Sequence, residues 1–276
     1  MKTRTHPVVF TAIEGTLLDF ETFDWNACRS ILRRLSVAHI PVIPVTAMTL
    51  DEMEPLAREM GFRHAMIIEA GGAIARWKNH AWHVEPCGPD ADTLLDLVST
   101  IEDRSGADLT VYSVLPEEEA ARLSGRTGAM LGRSTKRCFS EPFVMERGHI
   151  AAVTKAAASL GFTVERGARF YHLIRPGCAA EAVNRVRAEL GCDFAIALGG
   201  SPLDAELLTA SEIPIIVPLH DHRPEPDLVR KVPNARIAPA HGSRGWAAAM
   251  TDAWVKIAPA VAITGRERAR SRMTAE

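Results

Sequence analysis

The sequence has no apolar run long enough to cross a membrane. Its hydrophobic stretches are broken by charge or proline well short of the ~18 residues that a spanning helix needs. Residues 1–7 carry basic side chains, but only a short apolar segment follows. That makes a poor secretory leader, so a cytoplasmic location is the default expectation. Strong charge of either sign is also missing. The formal net charge is -2, and no whole-molecule field favours nucleic acid or an acidic membrane surface. The five cysteines, at 28, 87, 138, 178 and 192, form no Cys-x-x-Cys pair, and none has a histidine at zinc-ligand spacing. An odd count in this pattern points to reduced, mostly buried thiols. There is no internal repeat and no low-complexity segment. The basic run at 266–272 has no aromatics between its arginines, so it reads as a frayed, solvated terminus rather than a nucleic-acid arm.

What remains is an ordinary globular composition, 47% apolar and 24% charged over 276 residues, enough for one large domain or two modest ones. Residues 8–10, 40–45 and 65–68 read as buried strands. An apolar stripe through Leu17, Phe20, Phe23, Ile31, Leu32 and Leu35 predicts one long helix after the first strand. Leu50, Met53, Leu56 and Met60 predict a second, stopped by Gly61. Continuous apolar strands alternating with helices imply a doubly wound, Rossmann-like α/β parallel sheet. After Trp77 the texture changes. Pro86, Gly88 and Pro89 mark a break, and shorter α+β elements follow, with strands expected over 137–144 and 170–174. From Glu181 the α/β alternation resumes, with a strand over 194–198 running into Gly199-Gly200-Ser201-Pro202. The expected organisation is a core from 1–81 and 179–276, with an inserted α+β domain over 82–178.

The opening stretch Val8-Val9-Phe10-Thr11-Ala12-Ile13-Glu14-Gly15-Thr16-Leu17 resembles the first motif of the haloacid-dehalogenase phosphatases, and Gly199-Gly200-Ser201-Pro202-Leu203-Asp204 resembles their fourth. The insert stands where the second type of cap domain sits in that superfamily. Arg137-Cys138-Phe139-Ser140-Glu141-Pro142-Phe143 and Gly167-Ala168-Arg169-Phe170-Tyr171-His172-Leu173 are similar to cap signatures of the mannosyl-3-phosphoglycerate phosphatases, as is the region from Pro233 to Trp246. Several such motifs in order carry far more weight than any one. The resemblance implies removal of phosphate from a mannosyl-phosphoglycerate. It also implies a carboxylate nucleophile, a second carboxyl as acid and base, a Mg²⁺ held by carboxylates, and hydroxyl and lysine donors on the phosphoryl group.

This sequence keeps the frame of those motifs and lacks much of their chemistry. Ala12 stands at the nucleophile position. Glu14 stands at the acid/base position, one methylene longer than the family's aspartate, and a displaced proton donor can cost orders of magnitude in rate. Thr46 matches the hydroxyl of the second motif. The family's Glu-Asn-Gly reads Glu69-Ala70-Gly71. Ala179 stands at the lysine position, with Arg175 close enough in sequence to be considered as a substitute. Gly200 replaces the metal-binding aspartate and Leu203 an asparagine, leaving Asp204 as the one carboxylate of the fourth motif. A single carboxylate is a poor offer to Mg²⁺, which wants an octahedral set of oxygens.

In the cap, Ser140, Glu141, Arg169 and His172 match positions that the resemblance assigns to the sugar and glycerate parts of a substrate. An equally good reading pairs Glu141 with Arg169 as an internal brace between two cap strands. Three functions therefore stand open. The first is a non-catalytic or severely impaired relative that binds a small phosphorylated sugar acid or a protein partner. The second is an active phosphatase with Glu14 in the main carboxylate role, and the third is a structural role with no small ligand.

Overall fold

The computed structural model describes residues 6–221 and 223–273, the stretch 258–273 as backbone only. Twelve strands and ten α-helices follow in the order β1 (Pro7–Ala12), α1 (Arg29–Val37), β2 (Val42–Val45), α2 (Leu50–Met60), β3 (Ala65–Ile68), β4 (Ala73–Lys78), β5 (Ala81–Pro86), α3 (Ala91–Ser105), β6 (Asp108–Val111), α4 (Glu117–Ser124), α5 (Gly128–Ser134) and β7 (Pro142–Arg147). The chain continues through α6 (Ile150–Ala158), β8 (Thr163–Arg166), β9 (Tyr171–Ile174), α7 (Cys178–Glu189), β10 (Phe194–Gly199), α8 (Ala205–Thr209), β11 (Ile213–Ile216), α9 (Pro226–Lys231), β12 (Arg236–Ile237) and α10 (Gly242–Met273). These counts are of the described residues. Among them no helix is long and apolar enough to cross a membrane.

Eight strands form one sheet in the order β12-β11-β10-β1-β2-β3-β4-β5. The first six of that order pair in parallel, while β4 and β5 add antiparallel to the edge at β3. Of the parallel strands, β1, β2, β3, β10 and β11 are buried on both faces, as their largely apolar sequences require, and only the short edge strand β12 is exposed. One face packs Leu35 of α1, Met53 of α2 and Trp246 of α10 against the sheet. The other packs Val183 of α7, Leu208 of α8 and Leu228 of α9. Trp246 is fully buried and donates its indole N–H to the Thr11 hydroxyl, 2.9 Å, which ties α10 beneath β1. β1 lies between β10 and β2, so the strand order reverses there. The crevice at the carboxyl ends of these strands is where such sheets place ligands.

The second unit is a four-stranded antiparallel sheet, β6-β7-β9-β8. α3 and α6 cover one face of it through Leu94, Val98, Val153 and Ala157. α4 and α5 hold a smaller cluster around Tyr112, Leu131 and Phe170. The architecture is a doubly wound α/β core with an inserted α+β cap.

Several local expectations need correction. The stripe Leu17, Phe20, Phe23 is not helical: the chain turns from residue 13 to 25, Phe23 has φ +56°, and α1 starts only at Arg29. Helical spacing arises there because Leu17 and Phe23 both pack into the core face from a folded loop. Residues 81–86 belong to the large sheet, so that sheet extends beyond residue 82, the expected start of the insert. Residues 137–141 precede β7 instead of forming part of it, because their polar groups are engaged by the core, as described below. α10 runs as helix through the basic segment at 266–272 that the sequence marks as frayed.

Candidate functional site

The cavity between core and cap opens at the carboxyl ends of β1 and β2. It has a volume of about 60 Å³, room for a few water molecules. From the core it is lined by Ala12, Glu14, Thr46, Leu203 and Asp204, and from the cap by Arg126, Arg137, Arg169 and His172. The structure thus brings Ala12, Glu14, Thr46, Asp204, Arg169 and His172 to one place. Ser140, Glu141, Ala179 and Gly200 do not line it.

Glu14 is carried on the turn after β1. Gly15 makes that turn at φ +73°, a backbone conformation that favours glycine, and a Cβ there would also displace Leu219 Cδ2, 2.5 Å away. The Glu14 carboxylate is divided between two cap arginines. Arg169 donates from Nε to Oε1 at 2.5 Å, and Arg126 donates from Nη2 to Oε2 at 3.0 Å. Arg126 also donates from Nε to Glu52 Oε1 at 2.6 Å. Glu52 in turn closes a capping box on α2: the Thr49 N–H donates to Glu52 Oε2, and the Glu52 N–H donates to the Thr49 hydroxyl. Arg169 spends its Nη2 on the Phe20 carbonyl at 2.6 Å, with its guanidinium 4.0 Å from the Phe20 ring centre. Two arginines and two glutamates therefore form a neutral, water-poor network. Glu52 is wholly buried in it, and the Arg126 and Glu14 side chains are 6% and 16% exposed. Burial opposes the Arg126 charge, but Glu14 and Glu52 outweigh it and push the guanidinium above its ordinary value.

This geometry excludes a pair between Glu141 and Arg169. Glu141 is buried and accepts instead from the Ser113 hydroxyl at 2.8 Å, and burial raises its carboxyl above the usual range. Ser140 is likewise turned to the core. It donates its hydroxyl to Glu69 Oε2 at 3.0 Å, and the same carboxylate accepts from the Cys138 and Phe139 amides. Both residues brace the cap and its connection to the core. His172 is buried, and its Nδ1 has no hydrogen-bond partner among the described residues. Burial, with Arg137 adding repulsion, pushes its pKa down to about 3, so the ring is neutral. Thr46 lines the cavity and accepts from the Met48 amide at 3.1 Å.

On the core side the family's polar positions are filled by apolar groups or closed. Ala70 and Leu203, at the two asparagine positions, meet Ala47, Ile174 and Cys178 in a small apolar cluster. Ala179 is the second residue of α7, and its amide donates to Glu206 Oε2 at 3.1 Å, so a carboxylate takes the helix terminus. Arg175 is no substitute lysine: it pairs with Glu181 on the exposed side, 2.6 Å and 3.2 Å, away from the cavity. Gly200 has no room for a side chain, since a Cβ would stand 2.6 Å from the Val217 carbonyl oxygen.

These residues do not fit the Mg²⁺ that the family uses. Ala12 and Gly200 supply no oxygen from their side chains. Asp204 directs Oδ2 to the Gly200 and Ser201 amides, both 2.9 Å, and to the Ser201 hydroxyl, 3.0 Å. Burial raises its pKa and those hydrogen bonds only partly oppose the rise. The expected metal role of Asp204 is thereby replaced by a local structural one. Among the described residues no cluster of three or more His, Cys, Asp or Glu could hold an ion.

The sequence reading missed Arg126 and Glu52. Arg126 follows a Ser124-Gly125 turn at the end of α4, and Glu52 stands three residues after Thr49, a spacing legible as a capping box. Their mutual pairing across 74 residues has no local signal.

No family model matches the chain. Over 261 residues it is 29% identical to a glucosyl-3-phosphoglycerate/mannosyl-3-phosphoglycerate phosphatase of Persephonella marina, covering 87% of this chain and 94% of the relative. A protein of the same name from Methanococcoides burtonii is 26% identical over 263 residues, covering 89% and 96%. A phosphatase of the HAD enzyme superfamily from Bacteroides thetaiotaomicron superposes with a TM-score of 0.67 at 12% identity, covering 91% of this chain and 95% of that one. The chain has the haloacid-dehalogenase fold and resembles the mannosyl-3-phosphoglycerate phosphatases.

Proposed function

We propose that this protein binds a phosphorylated sugar acid and does not hydrolyse it. The observation that carries the reading is the state of Glu14, the only carboxylate on the turn where the family keeps its nucleophile and its acid. Both of its oxygens are bound by arginines at 2.5 Å and 3.0 Å. A carboxylate so held cannot meet a substrate until two charge-assisted hydrogen bonds have broken. Ala12 offers no alternative nucleophile, and the Gly200 backbone cannot accept the missing aspartate without movement. The polar cap wall of Arg126, Arg137, Arg169 and His172 supports retained recognition of an anionic ligand. The free space of about 60 Å³ among these side chains is smaller than a sugar, so the lining must move to admit such a ligand.

The test is a Mg²⁺-supplemented phosphate-release assay on mannosyl-3-phosphoglycerate, glucosyl-3-phosphoglycerate and an aryl phosphate, run beside calorimetric titration of the same sugar compounds. Binding without turnover is the expected result. Turnover that is lost in Glu14→Gln overturns it in favour of a phosphatase that uses Glu14.

A further inference from the structure

Internal carboxylates occupy the donor groups around this cleft. Glu14 takes Arg126 and Arg169, Asp204 takes the Gly200 and Ser201 amides, and Glu206 takes the amides of Gly177, Ala179 and Ala180 at the start of α7. The first of these differs from the others in one respect. Asp204 and Glu206 stay within the core, close in sequence to the groups they bind or on an adjoining helix. Glu14 reaches from the core to two cap arginines, 112 and 155 residues away in sequence. Like Asp204 it lines the cavity, but Asp204 turns its carboxylate to its own loop. His172 lines the same cavity, fully buried, with Nδ1 lacking any partner among the described residues.

We propose that Glu14 is a built-in occupant of the cap's anion site: its carboxylate holds the place of a ligand's anionic group between Arg126 and Arg169, and a ligand must displace it to bind. This rests on the anion-binding reading above. Two guanidinium groups converging on one carboxylate form a receptor for a phosphate monoester or a carboxylate, the chemistry that arginine forks recognise. Because the occupant is attached to the core and the receptor to the cap, the same contact also ties cap to core, beside the bonds from Arg126 to Glu52 and from Arg169 to the Phe20 carbonyl. Displacement of Glu14 removes one of these ties, so entry of the anion loosens the cap. Part of every ligand's binding energy is spent on that exchange, which lowers the apparent affinity of the closed protein.

Calorimetric titration at fixed ionic strength tests this, using the full chain with inorganic phosphate and, separately, with glycerate and with mannose. Glu14→Gln keeps size and removes charge. It is expected to bind at least one of the two anions about tenfold more tightly than the unaltered protein, with no change for neutral mannose. Phosphate alone responding assigns the site to a phosphoryl group, and glycerate alone assigns it to a carboxylate. Glu14→Ala should give the same sign, and it replaces the glutamine variant if that chain fails to fold. In Glu14→Gln combined with Arg169→Ala the gain should vanish. Equal or weaker anion binding in both Glu14 variants overturns the proposal, as does a gain that extends to mannose. Those outcomes leave the non-hydrolysing reading untouched, because that reading fails only on phosphate release or on absence of sugar-acid binding.

Discussion

The core and the cap meet the same cavity with different inventories. The core presents Ala12, Thr46 and Leu203, with Asp204 bonded to its own loop and Glu14 as its one outward carboxylate. The cap presents three arginines and a neutral histidine. In the phosphatases that the chain resembles, the core is expected to carry the chemistry and the cap the recognition. Here the core wall offers a methyl group at Ala12 and an isobutyl group at Leu203, while the cap wall is charged. The charges of Arg126 and Arg169 are balanced by Glu14 and Glu52 of the core. The two walls are thereby coupled through one electrostatic network rather than lying side by side.

Removing Arg126 should break this arrangement most severely. Arg126→Ala leaves Glu52 buried and Glu14 half-paired, and an uncompensated buried charge costs about 3–5 kcal/mol. Urea unfolding of Arg126→Ala should show a loss of that order. A change below about 1 kcal/mol would mean that the network is solvated and that the two walls are not coupled through it.

A smaller effect comes from His172 and is read in the pH dependence. Its folded-state pKa of about 3 lies below the unfolded value, so below about pH 6.5 the unfolded chain binds a proton that the folded chain does not. Stability then falls as pH falls, by up to about 1.4 kcal/mol per pH unit from this one group. Asp204 has the opposite sign: its raised pKa favours the folded state at low pH, and that contribution is lost as pH rises through it. Comparing urea unfolding of the unaltered chain and His172→Gln at pH 7.0 and 5.5 isolates the histidine, since Asp204 is present in both. The variant should lose less stability on acidification. Parallel losses would show that the ring protonates freely and that the cap wall is wetter than its burial implies.

The fold was legible in the sequence because β1, β2, β3 and β10 are unbroken apolar runs closed by small residues, a local signal of a parallel sheet. The gaps at Ala12, Ala179 and Gly200 were legible for the same reason, since each lies at a fixed offset from such a strand or from a helix start. What filled the gaps was not. Glu14 could be read as a residue retained for catalysis, and only its contact with Arg126 and Arg169 shows it as an ion-pair partner. Ser140 and Glu141 matched a ligand-binding pattern, yet they bond to Glu69 and Ser113. The Leu17-Phe20-Phe23 stripe misled because a folded loop with two buried contacts three or six residues apart copies helical spacing. In each case the deciding partner is distant in sequence, and periodicity carries no information about it.

The smallest effect is expected at Arg175, and it tests whether the loss of positive charge on the core side is complete. Sequence proximity makes it the natural replacement for the lysine missing at Ala179. The guanidinium instead donates to both oxygens of Glu181, one turn into α7, and both side chains are substantially exposed. An exposed pair of this kind contributes about 0–1 kcal/mol. Arg175→Ala should therefore change unfolding free energy by less than about 0.5 kcal/mol and leave phosphate affinity unchanged within twofold or so. Titration of the variant also probes whether ligand binding redirects the Arg175 side chain. A tenfold loss of phosphate affinity would place a working cation back on the core wall, and the contrast between the two walls would then hold only for the closed protein.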